Sequence, residues 1–95
     1  MDVDELMAIV REERLDQPVL EGVGALRNEA VVLVREGDGW SVFLANERGG
    51  RVASTVREFE NRSDALEHVL EKLRQTARAR EAMARLRARR AAADG

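Results

Sequence analysis

The stretch "EAVVLVREGDGWSVFLA", residues 29 to 45, decides how this chain folds. Its first half, Val31 to Glu36, is a β-branched run bounded by polar residues, which predicts a strand with both faces covered. Gly37, Asp38 and Gly39 form a hairpin signal, because glycine supplies the positive φ of a tight turn. In the second half, strand alternation puts Trp40, Val42 and Leu44 on one face and Ser41, Phe43 and Ala45 on the other. An antiparallel hairpin is therefore the centre of the fold.

Toward the C-terminus, "NERGGR" is a second turn signal, and "VASTVREF", residues 52 to 59, reads as a third strand. The middle of the chain is thus a three-stranded antiparallel meander. The period then changes. Leu66, Val69, Leu70 and Leu73 recur at helical spacing, with Ser63 as the expected N-cap and Asp64 and Glu67 in the first turn. Past Leu73 the stripe thins to Ala77, Met83, Ala84 and Leu86, while arginine takes over. No glycine or proline interrupts residues 63 to 93, which as one helix would span about 46 Å. A compact body of this size has a radius of gyration of about 11 Å. The helix must overshoot it, bend or fray.

Toward the N-terminus, Val3, Leu6, Met7 and Val10 mark another helix, with Asp2 as cap and Asp4 and Glu5 at its positive end. "DQPVLEGVGAL", residues 16 to 26, reads as a connector that ends it. The predicted fold is α+β, ordered α-β-β-β-α, with the meander covered by the two helices. Residues 1–75 form the single domain and residues 76–95 a basic helical extension.

Composition narrows the functions. The chain has 95 residues, 44% of them apolar and 36% charged, and no cysteine. Disulfides and thiolate metal sites are excluded. No stretch approaches the roughly 18 apolar residues of a membrane span. The start "MDVDELMAIVREER" carries acids where a signal peptide carries positive charge, so a cytoplasmic location is the expectation. The net charge of −2 hides an asymmetry. Residues 1–71 hold 16 acids and 8 bases, net −8, whereas residues 72–95 hold 2 acids and 8 bases, net +6. An acidic body attracts basic proteins and repels nucleic acid.

Catalytic chemistry finds no foothold. His68 falls off the apolar stripe and reads as a solvated surface residue, no serine has a base partner, and no acids share metal-ligand spacing. No cofactor is expected. "GVGALRNE" lacks the third glycine and the strand-to-helix context of a phosphate loop. The arginines from Arg74 to Arg90 could meet phosphates, complement the helix dipole or flank a helix-pairing seam. The aromatics that stack on bases are missing among them.

Gly39-Trp40-Ser41-Val42-Phe43, then Glu47-Arg48-Gly49, Phe59, and "SDALEHVLEKL" from Ser63 to Leu73 form a pattern. Over about residues 29–73 it resembles the small immunity proteins of bacterial polymorphic toxin systems. The resemblance implies a non-enzymatic protein that binds a cognate toxin domain and occludes its active site. An NAD-consuming glycohydrolase and a nuclease both remain open as that toxin. The alternatives are a nucleic-acid-associated accessory protein using the arginine-rich helix, or a structural homodimer joined through it.

A partner surface follows. Trp40 is expected to pin the core and Phe43, on the opposite face, to be exposed as an interface anchor. Around it are placed the turn Asn46, Glu47, Arg48, Gly49 and Gly50, whose glycines let a partner's backbone approach. Glu36, Asp38 and Glu58 are the flanking acids.

Overall fold

The computed structural model describes residues 1–94. It is an α+β fold with the order α1 (Val3–Glu13), β1 (Val19–Leu20), β2 (Val31–Glu36), β3 (Gly39–Leu44), a 3-10 turn (Ala53–Thr55), β4 (Arg57–Phe59) and α2 (Arg62–Asp94). The sheet has four strands in the order β1-β2-β3-β4, not three. The predicted meander is present: β2 pairs antiparallel with β3 (Leu33 opposite Val42, Arg35 opposite Trp40), and β3 with β4 (Trp40 opposite Phe59). The added strand lies inside the expected connector and runs parallel to β2, Val19 facing Val32 and Leu20 facing Leu33. It is only two residues long because the chain turns back at once. Leu20 and Val23 exchange backbone hydrogen bonds of 2.9 Å, which closes this edge.

The expected third strand is shortened for a local reason. Thr55 turns its hydroxyl inward, donating to the Val52 carbonyl and accepting from the Leu44 N–H at 2.9 Å. A side chain thus replaces the strand's backbone there, and the segment coils before pairing resumes at Arg57.

The helices begin where short polar side chains satisfy free N–H groups. Asp2 Oδ1 accepts from the Glu5 N–H at 2.8 Å. At α2 the cap is Asn61, not Ser63: Asn61 Oδ1 accepts from the Asp64 N–H at 2.8 Å while its amide donates to the Asp64 carboxylate. Ser63 instead accepts from the amino group of Met1 at 2.7 Å, tying the N-terminus to α2. Helix α1 stops before the proline, at Arg14, whose φ of 55° is left-handed; Leu15 then donates back to the Val10 carbonyl.

Both helices pack on one sheet face. Leu6 and Val10 of α1 meet Leu66, Val69, Leu70 and Leu73 of α2 over Val31, Leu33 and Val42. Each such side chain, fully buried, contributes about 1.5–3 kcal/mol. The opposite face is also buried, around Val19, Ala30, Val32, Phe43 and Ala45, and among the described residues no α-helical side chain joins that cluster. Val34 and Val56 pack at its margin, and the Arg51 guanidinium lies 4.5 Å above the Phe43 ring while ion-pairing with Glu36.

Helix α2 is continuous and overshoots the body. The molecule measures 56 × 29 × 20 Å, with a radius of gyration of 15.2 Å. Arg74 pairs with Glu13, and Arg80 with Asp16 and Glu29, so the body holds α2 for about half its length. From Arg78 to Ala93 every residue is exposed. Among the described residues no helix is long and apolar enough to cross a membrane.

Candidate functional site

The β2–β3 hairpin and β4 end at the same edge of the sheet, and the acids they carry gather there. Glu36, Asp38, Glu58 and Glu60 surround an open depression of about 620 Å³, with Gly39, Trp40, Ser41 and Phe59 completing its wall. The register explains the gathering: Glu36 faces Gly39 across the hairpin, and Glu58 faces Ser41 across β3 and β4. Glu36 is held by Arg51. Asp38, Glu58 and Glu60 make no ion pair among the described residues. Nor do any three His, Asp or Glu side chains among the described residues converge closely enough to hold a metal ion. The depression therefore presents free negative charge at this end of the sheet.

Trp40 is half-buried rather than a central core residue. It packs against the core from its margin, with the guanidinium groups of Arg35 and Arg62 at 5.7 and 5.6 Å from its ring. Arg62 is itself fixed by Glu21 at 2.5 Å. Such cation–π contacts hold the indole at the rim of the depression.

Three of the acids expected from the sequence, Glu36, Asp38 and Glu58, come together here. The remaining expected residues do not join them. Phe43 is 6% exposed and lies under Arg51, so it is no exposed anchor. Alternation correctly places it opposite Trp40, but on that face it is buried among Val19, Ala30, Val32 and Ala45 beneath an arginine instead of being open. The turn 46–50 sits at the far end of β3. Asn46 organises it, its Oδ1 accepting from the N–H groups of Arg48 and Gly50 at 2.9 Å. Leu26 occupies the space over Gly49, within 2.9 Å of where a Cβ would stand, so this glycine admits the chain's own leucine and not a partner. Glu47 and Arg48 are exposed at the tip.

Sequence reasoning misses Glu60 and Arg51. Glu60 follows Phe59 by one residue, and the signal for Arg51 is its place directly after the glycine pair. A larger depression of about 700 Å³, lined mostly by apolar side chains including Met7, Leu20 and Val23, lies beside α1 and contains none of these acids.

His68 departs from its expected solvated position. Its ring centroid is 5.2 Å from that of Phe59, its side chain is 14% exposed, and its buried Nε2 has no hydrogen-bond partner. Strand β4 brings Phe59 over the helix there, which the helical period alone does not reveal. Burial, aided by the nearby Lys72 charge, holds the imidazole pKa below its usual value, against the opposing pull of Glu71. The unfolded chain thus binds the proton more readily than the folded one. Stability is undisturbed above the ordinary histidine pKa of about 6.5 and falls as the pH drops through and below it. His68→Leu is expected to flatten this part of the stability–pH curve between neutral and mildly acid pH, and to leave the neutral-pH stability equal or higher, since it removes an unpaired buried nitrogen. Thermal melts across that range check both points.

Comparison with known proteins finds no family model, no curated protein and no solved structure that matches this chain.

Proposed function

We propose that this is a non-enzymatic binding protein of the immunity type, whose acidic depression docks on the basic active-site cleft of a cognate toxin domain. The observation that carries the reading is the convergence of Asp38, Glu58 and Glu60, all without ion-pair partners among the described residues, around the rim-held Trp40. A cleft that handles phosphate-bearing substrates is lined with arginine and lysine. Carboxylates fill it as phosphates do. The net −8 of residues 1–71 would speed encounter with such a surface. The sequence pattern around Trp40 and Ser63–Leu73 points to the same class of protein.

The test is growth rescue against the toxin encoded by the neighbouring reading frame, supported by binding measurements with the purified toxin domain. Asp38→Lys together with Glu58→Lys is expected to weaken binding by about a hundredfold or more and to abolish protection. Both positions are exposed, so the variant should fold. Glu47→Ala with Arg48→Ala, at the far end of β3, is expected to protect as the parent does. The reverse pattern would move the contact to the 46–50 turn.

A further inference from the structure

Where α2 leaves the sheet it still carries an apolar stripe. Thr76, Ala79, Met83 and Leu86 follow at spacings of three, four and three residues, the spacing of a helix-pairing seam. At the rim of the body, Thr76, Ala79 and Met83 line an open depression of about 520 Å³ together with Leu44, Glu29 and the flanking Arg80 and Arg87. Farther out the stripe runs uncovered: Met83 is 50% exposed and Leu86 41%.

We propose that this stripe pairs with its counterpart on a second copy of the chain, the two α2 helices running antiparallel about residue 81. In that register Ala79 of one copy faces Met83 of the other, and Thr76 faces Leu86. Every layer sets a small side chain against a large one, which is how facing positions interdigitate. A parallel pair would stack methionine on methionine and alanine on alanine, and would hold two bodies of net −8 side by side. The antiparallel pair separates the bodies and sets Arg85, Arg87 and Arg89 of each copy level with residues 77, 75 and 73 of the other, the stretch of α2 that Glu13, Asp16 and Glu29 flank. Arg80, beside the seam, is already neutralised by Asp16 and Glu29. The next seam positions, Lys72 and Arg90, face each other with like charge and end the seam. The dimer is accordingly weak and concentration-dependent. The acidic depression shares no residue with this seam.

Sedimentation equilibrium of the full chain, from micromolar to millimolar concentration, tests the proposal. The parent is expected to pass from monomer to dimer. Met83→Glu, at a half-exposed position that the fold does not need, is expected to raise the dissociation constant by about thirtyfold or more while leaving the circular dichroism unchanged. Met83→Ala should weaken the dimer as well. Ala79→Met combined with Met83→Ala should restore it, because the pair exchanges places within one layer. A parent that stays monomeric throughout overturns the proposal, as does a dimer that survives Met83→Glu or fails to return in the double variant. A monomeric parent retained on random duplex DNA would assign the stripe's helix to a polyanion instead.

Discussion

Leu70→Asp is expected to abolish the cooperative unfolding transition of this protein. Leu70 is 6% exposed, on the α2 face that meets α1 and the helix-side face of the sheet. Arg74, one turn farther along α2 and beside Leu70 at the rim of the packed face, is already committed to Glu13, and Glu67 and Glu71 flank the same position. A carboxylate there would be largely desolvated, between two glutamates, and would have to take Arg74 from Glu13 to gain a partner. Losing the leucine's burial and stranding a polar group together cost upward of about 4 kcal/mol. A domain of this size is stable by about 5–15 kcal/mol. Here much of the chain contributes little, since α2 beyond Ala77 is solvated. The matched control is Leu86→Asp on the same helix, where the side chain is 41% exposed and its replacement leaves the melt nearly unchanged at dilute concentration. Circular dichroism melts of the two variants would contradict the assigned helix phase if they coincided.

Local signals suffice for this fold wherever local chemistry decides the structure. The apolar stripe of α2, the Asp2 cap and the β2–β3 hairpin each depend on residues close in sequence, and each is legible. Strand β1 is not. Two residues have no period, and Val19 and Leu20 become a strand only because β2 arrives beside them from farther along the chain. The same limit explains Phe43 and His68. Alternation assigns Phe43 a face but cannot say that Arg51 will lie across it, and the helical wheel cannot know that β4 brings Phe59 onto His68. The acids show the intermediate case. Glu36, Asp38 and Glu58 stand out in the sequence for their charge near the hairpin, and the pairing of β3 with β4 brings them together. Their separation from the 46–50 turn follows from the length of β3, about 20 Å for six residues.

Gly39→Ala is expected to strike the fold and the candidate site at once. Gly39 opens β3, and a Cβ added there would stand 2.7 Å from the Phe59 carbonyl oxygen. That atom is backbone and cannot swing aside, so β3 and β4 must part. Strand β4 has only three residues with which to resist, Arg57 to Phe59, and its pairing reaches only Trp40 to Val42. Overpacking of this kind costs about 1–3 kcal/mol, which a cooperative fold survives. The larger consequence is geometric. Displacing β4 carries Glu58 and Glu60 away from Glu36 and Asp38, and lifts Phe59 from His68. Gly37→Ala separates the two effects. Gly37 lies in the hairpin turn with a φ of 57° and open space around it, so alanine there strains the backbone by about 1–2 kcal/mol without moving β4. The two variants therefore have comparable stability but different sites. Under the proposed immunity function, Gly39→Ala should fold yet fail to protect against the toxin, while Gly37→Ala protects. Equal protection by both, at equal expression, would mean that toxin binding does not depend on the four acids being held together, and the depression would lose its claim to be the contact surface.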